Sequence, residues 1–266
     1  MLLASIFGVV MGVVLGLTGA GGGILAVPAL VLGLGWNMTQ AAPVALFAVG
    51  SAAAVGALDG LRHGLVRYRA ALLIAVLGAL FSPLGIYVAH QLPDNVLMIL
   101  FSALMVLVAW RMLRREQPAP GPSDHGQANW GQKNCMLDQQ TGRFSWTAKC
   151  TATLAGLGAV TGVVSGLLGV GGGFLIVPAF KQLTDVQMRG IVATSLMVIS
   201  LISAIGVLGA FHAGVRIDSQ GVAFIVASIL GMIIGRRLCA RVPARALQMG
   251  FASVCLVVAG YMLLKA

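Results

Sequence analysis

Charge is what this sequence is short of. Only 9% of its 266 residues are charged, against roughly 25% in a soluble domain. With 59% hydrophobic residues and a mean hydropathy of +0.97, that shortage excludes a water-facing globular surface. The chain reads as a polytopic membrane protein whose principal partner is the lipid bilayer. Acidic residues are scarcer still, 7 against 17 Lys and Arg. The apolar runs therefore hold no carboxylate, histidine or metal cluster of the kind an intramembrane enzyme needs, and no enzyme is expected. There are four cysteines (Cys135, Cys150, Cys239 and Cys255) and none has CxxC or Cys/His ligand spacing. No metal site is expected, and their reading is small apolar packing. No Gly-Lys-Ser/Thr follows any glycine cluster, which removes ATP hydrolysis, and no cofactor is expected. The net charge of +10 sits in loops, where Lys and Arg set topology. It forms no water-accessible basic surface, so nucleic acid is not a partner. The start, Met1-Leu2-Leu3-Ala4-Ser5, lacks the positive n-region of a removable signal peptide.

Glycine is what the chain has in excess, and its placement is informative. The block Gly16-Leu17-Thr18-Gly19-Ala20-Gly21-Gly22-Gly23 leads to Val27-Pro28. The block Gly166-Leu167-Leu168-Gly169-Val170-Gly171-Gly172-Gly173 leads to Val177-Pro178, 150 positions later (166 − 16). The same offset pairs Gly56 with Gly206, Gly85 with Gly235, Pro93 with Pro243 and Phe101 with Phe251. The chain is thus a duplicated unit, with membrane repeats at 1–115 and 150–266. Between them 116–149 opens Glu116-Gln117-Pro118-Ala119-Pro120-Gly121-Pro122 and reads as a solvated linker.

Glycine triplets break helices. Each repeat is therefore expected to hold a broken helical hairpin, with arms at 2–18 and 24–35 and at 150–168 and 173–183. Three transmembrane helices follow, at 40–60, 69–90 and 95–113 and at 188–211, 219–240 and 244–264. Pro28 and Pro178 fit a first turn if the second arms start near residues 25 and 175. A hairpin that returns to its side leaves three crossings per repeat, and an odd number inverts one repeat against the other. That arrangement places every Lys and Arg except Arg216 and Lys265 on one side, the cytoplasm. A parallel arrangement moves Lys181, Arg189, Arg236, Arg237, Arg241 and Arg245 outward. The positive-inside rule selects the inverted repeats, with the linker cytoplasmic. The fold class is all-α: a polytopic membrane protein of two inverted repeats, each a broken hairpin plus three transmembrane helices.

Broken helices in matching positions of two repeats point to a transporter's binding site. The tips, Gly19, Gly21, Gly22 and Gly23 with Gly169, Gly171, Gly172 and Gly173, are expected to meet near the midplane. Short helices starting there offer bare N–H groups and a positive dipole end to a small anion. Thr194 and Ser195 lie in repeat two's first crossing and supply hydroxyls. Their counterparts are Val44 and Ala45, so the halves differ chemically. The competing role for Thr194 and Ser195 is a bond back to their own helix. Isolated glycines such as Gly8, Gly12, Gly50 and Gly78 read as close helix packing. Asp59, Arg62, His63 and His212 read as interfacial residues, with Asp59, His63 and His212 the candidates should protons move. Asp185 and Arg189 are placed to pair.

Gly166-Leu-Leu-Gly-Val-Gly-Gly-Gly-Phe174 with Val177-Pro178, its echo at Gly16–Pro28, and Ala193-Thr194-Ser195-Leu196 resemble the TauE/SafE family of sulfite and organosulfur exporters. Thr141-Gly142-Arg143 and Trp146-Thr147 are similar to it as well. The resemblance covers nearly the whole chain. It implies a multi-pass inner-membrane permease for a sulfur-containing anion such as sulfite, sulfoacetate, thiosulfate or a sulfonate. Repeat one departs from the pattern, with Thr18 where Leu168 stands and Val44-Ala45 where Thr194-Ser195 stand. An anion channel using the same tips, and a membrane delivery partner for sulfur metabolism, are the alternatives. A homo-oligomer is compatible with the sequence.

Overall fold

The computed structural model describes residues 2–19, 22–113, 147–168, 172–184, 188–212, 218–239 and 244–265. Its elements are α1 (Leu2–Thr18), α2 (Gly22–Leu34), α3 (Met38–Arg62), α4 (Tyr68–Gln91), α5 (Asp94–Leu113), α6 (Ala148–Leu168), α7 (Gly173–Leu183), α8 (Met188–His212), α9 (Ser219–Cys239) and α10 (Ala244–Lys265). Among the described residues this is an all-α protein. Five helices among the described residues are long and apolar enough to cross a membrane: α3, α4, α6, α8 and α9. The second arms are not. At 13 and 11 residues, α2 and α7 extend only ~20 and ~16 Å, against a hydrocarbon core of ~30 Å.

Both glycine breaks lie where they were expected; α7 begins at Gly173 as expected, and α2 begins at Gly22, slightly before the expected residue 24. Because α2 starts at Gly22 and α7 at Gly173, Pro28 and Pro178 fall in the second turn and not the first. There a proline leaves the carbonyl four residues earlier without its N–H partner. Helix α6 likewise starts at Ala148, because the Thr147 hydroxyl accepts from the Cys150 amide at 3.3 Å and caps it. Cys255 is free and buried, as packing requires. Cys150 is disulfide-bonded, which the sequence reading did not include. Cys135 and the bulk of 116–149 lie outside the described residues.

Helix pairing follows a reciprocal rule. Helix α1 packs on α9 and α6 on α4. Helices α3 and α8 pack on each other, as do α5 and α10, and α3 meets α9 as α8 meets α4. Exchanging each helix for the one 150 residues away leaves this scheme unchanged. Glycine sets the closest seams. Gly8, Gly12 and Gly16 of α1 lie on Phe224, Ser228 and Met232 of α9 in the same order, so these helices run parallel. Gly158, Gly162 and Gly166 of α6 lie in parallel on Ile74, Gly78 and Ser82 of α4. Small residues let backbones approach where lipid removes the hydrophobic drive for association. Helices α3 and α8 run antiparallel: Gly50 meets Ser203, Gly60 meets Ala193 and Gly206 meets Leu46. Within the first hairpin, Gly22 meets Leu15 and Gly33 meets Phe7, the antiparallel order of a tight return.

The outer faces match lipid. Leu72, Val76, Leu80, Leu84 and Val88 of α4 are exposed. So are Val222, Val226, Leu230, Ile234 and Leu238 of α9, each 150 positions further on. Two four-spaced apolar stripes open to the surroundings make no sense in water and suit acyl chains.

Candidate functional site

Helix α8 brings the two hairpin breaks together. Gly19, at the end of α1, has φ 77 and sits against Val192, and its carbonyl lies 3.5 Å from the Ser195 hydroxyl. Gly173, the first residue of α7, sits against Ile199. Positions 192, 195 and 199 fall on one face of a helix, so a single stripe of α8 meets both breaks about one to two turns apart. The short helices that follow, α2 and α7, also touch. Gly22 and Gly23 are buried, as are Gly172 and Gly173. Gly21, Gly169 and Gly171 lie outside the described residues.

The side-chain-free faces of these glycines are filled. A Cβ on Gly19 would overlap Val192, one on Gly22 would come within 2.5 Å of the Leu15 Cα, and one on Gly173 would overlap Ile199. On Gly172, a left-handed residue with φ 62, it would stand 2.7 Å from the Thr161 carbonyl. Backbone contact or a positive φ thus favours glycine at Gly19, Gly22 and Gly172, while at Gly173 the Ile199 side chain fills the space. The amides of Gly22, Gly23 and Ile24 in α2, and of Gly173 and Phe174 in α7, precede the first intrahelical acceptor.

The two hydroxyls are fully buried. Thr194 donates to the Gly190 carbonyl at 2.7 Å and accepts the Arg67 amide at 3.1 Å. Ser195 donates to the Val192 carbonyl at 2.8 Å. Each hydroxyl proton is therefore turned inward onto its own helix, and the free function of each is as an acceptor. Ser203 is different: it is buried beside Gly50, with its hydroxyl unpartnered.

Cations collect at the end of the bundle where α3 and α9 finish and α4, α6 and α8 begin. Arg62, Arg67, Arg69, Lys149, Arg189, Arg236 and Arg237 all lie there. Arg236 crosses from α9 to α3, donating to the Gly56 carbonyl at 2.7 Å and pairing with Asp59 at 2.5 Å. His63 Nδ1 lies 2.8 Å from the Asp59 carbonyl and 3.5 Å from its carboxylate. Asp59, read from sequence as an interfacial residue, is thus a cross-helix tie. Asp185 lies outside the described residues, and the His212 side chain is not described. Sequence reasoning missed Arg67 and the role of Arg236. No local spacing signals them, because their partners lie 127 and 180 positions away. The Asp59 carboxylate is 45% exposed and Arg236 25%, so solvent screens the pair. A double-mutant cycle of Asp59→Ala and Arg236→Ala, read by thermal unfolding in detergent, is expected to give a coupling of about 1 kcal/mol. Additive single effects would show that the tie contributes nothing.

Comparison with known proteins covers this whole arrangement. The family described as Sulfite exporter TauE/SafE matches residues 4–262. A probable membrane transporter protein of Xylella fastidiosa (strain 9a5c) is 30% identical over 238 residues, spanning 89% of this chain and 84% of its own. Another, from Bacillus subtilis (strain 168), is 26% identical over 208 residues, spanning 76% and 74%. No solved structure matches.

Proposed function

The chain belongs to the TauE/SafE sulfite exporter family, a family of membrane transporters, and from that premise we propose that it is a multi-pass secondary transporter of a small sulfur-containing anion in the cell's inner membrane. The substrate class is sulfite, sulfoacetate, thiosulfate or a sulfonate. The observation that carries the site is the stripe of α8 at Val192, Ser195 and Ile199, which meets Gly19 of one break and Gly173 of the other. The anion is held by first-turn amides of α2 and α7 at the positive ends of their dipoles. Thr194 and Ser195 fix the local backbone, and in this reading their hydroxyls add donors to the ligand once their protons rotate away from their own helix.

The repeats are read as inverted. Helices α3 and α8 oppose one another, while α1 runs with α9 and α4 with α6. Those directions support a first hairpin that enters from one face and a second from the other. The basic end is taken as cytoplasmic by the positive-inside rule. Two mobile halves around a shared site suit alternating access. Export of an anion is assisted by an inside-negative potential, by ~2.3 kcal/mol per charge per 100 mV.

Purified protein in proteoliposomes, given sodium salts of sulfite, thiosulfate, sulfoacetate and methanesulfonate, tests the reading. Saturable flux of at least one anion is expected. Flux that rises linearly with concentration would indicate a channel. No flux of any of them would count against transport and leave the delivery role.

A further inference from the structure

Among the described residues, Arg67 differs from the other cations at its end of the bundle. Arg62 and Arg69 are exposed, as interfacial anchors are. Arg236 is held by Asp59 and the Gly56 carbonyl. Arg67 is half-buried, its Nε is shut away from solvent without an acceptor, and no carboxylate among the described residues pairs with it. An enclosed guanidinium N–H with no acceptor is destabilising. The adjoining helix does not compensate: Arg67 is the N-cap of α4, whose first turn holds no acid, so its charge faces the positive end of the dipole.

The location supplies a reason. The Arg67 amide is bonded to the Thr194 hydroxyl, and the next residue, Ser195, approaches the Gly19 carbonyl. Arg67 therefore springs from beside the first hairpin break. At the other break the positions 150 residues away read Ile217 for Arg67 and Val44-Ala45 for Thr194-Ser195. These three polar residues thus have apolar counterparts in the other repeat, and the halves are chemically unequal at these positions.

We infer that Arg67 is the specificity-determining cation of the proposed transport site, and that the anion is captured asymmetrically, at the first break. Nε–H and a terminal N–H of a guanidinium lie side by side and match two oxygens of a sulfite, thiosulfate or sulfonate group. Binding supplies the acceptor that Nε lacks. This inference rests on the transport reading above.

Proteoliposome flux of sodium sulfite and sodium thiosulfate, with a thermal-shift series on the detergent-purified protein, tests it in four proteins: wild type, Arg67→Gln, Arg67→Lys and Arg62→Gln. Arg67→Gln is expected to raise the half-saturating concentration roughly tenfold or more, the scale of one lost charge-assisted fork, and to abolish anion-induced stabilisation. Arg67→Lys keeps the charge without the fork and is expected to fall between. Arg62→Gln, an exposed charge at the same end, is expected to behave as wild type. Should Arg67→Gln not purify, Arg67→Lys carries the test, and wild-type half-saturation in it overturns recognition by the fork. Wild-type behaviour of Arg67→Gln alongside a transporting wild type overturns the role of Arg67 and leaves the transport reading intact. A wild type that neither moves nor is stabilised by either anion removes both.

Discussion

Leucine at Gly172 or at Gly22 is expected to abolish anion flux while the protein still inserts and purifies. Gly172 holds φ 62, and a side chain there stands 2.7 Å from the Thr161 carbonyl. A non-glycine residue in that conformation costs about 1–2 kcal/mol before any clash. Gly22 is in ordinary helix, but its side-chain direction runs into the Leu15 backbone of the opposing arm. Overfilling such a contact costs typically about 1–3 kcal/mol. In each case the arms must move apart, and the first-turn amides of α2 or α7 turn away from the α8 stripe. The larger seams of the bundle, α1 on α9 and α4 on α6, are untouched, so folding survives. Gly35 and Gly64 separate strain from site. Both have positive φ, 70 and 66, and a Cβ on either meets open space. Gly35→Ala and Gly64→Ala are therefore expected to lose some stability and keep flux. Wild-type flux in both leucine variants would count heavily against the breaks as the place where the anion sits.

Much of this architecture is readable in the sequence because it is written in local terms. A glycine triplet breaks a helix wherever it stands, so the breaks at Gly19–Gly22 and Gly169–Gly173 and the long helices beyond them lie within a few residues of expectation. Register between the repeats is marked by matched glycines and prolines, which keep the offset of 150 visible among interchangeable apolar residues. Helix starts were harder to place. Pro28 and Pro178 fit a first turn only if the second arms start near residues 25 and 175, but the preceding glycines accept helical geometry, so the arms start at Gly22 and Gly173 and the prolines fall in their second turns. What no local pattern carries is which helix meets which. Nothing in Arg67 announces Thr194, and nothing in Arg236 announces Asp59 and Gly56, since each contact is made by the exchange of helices between repeats. Close packing at the breaks was equally hidden. The sequence shows that Gly173 lacks a side chain, and only the fold shows Ile199 in the space.

The seams formed by that exchange are where the largest loss of folded protein is expected. Gly12 lies so close to Ser228, and Gly162 to Gly78, that an added Cβ would overlap a backbone carbonyl oxygen in each. A backbone atom in a packed helix cannot swing aside as a side chain does, so the whole of α9 or α4 must retreat. In lipid nothing compensates for the retreat, because association there depends on van der Waals fit and close backbone approach. Gly12→Leu and Gly162→Leu are accordingly expected to yield little monodisperse protein. Gly12→Ala and Gly162→Ala are expected to cost about 1–3 kcal/mol each in thermal unfolding. Gly156→Leu and Gly260→Leu, where an added Cβ meets nothing within 4 Å, are expected to match wild type. Helix α1 of the first hairpin is seated on α9 of the second repeat, and α6 of the second hairpin on α4 of the first. Neither hairpin can then hold its position on its own repeat alone, and damage to one seam should disorder both breaks. A Gly12→Leu protein that unfolds at the wild-type temperature would show that the α1–α9 seam can open without penalty, and the reciprocal bracing of the two breaks would go with it.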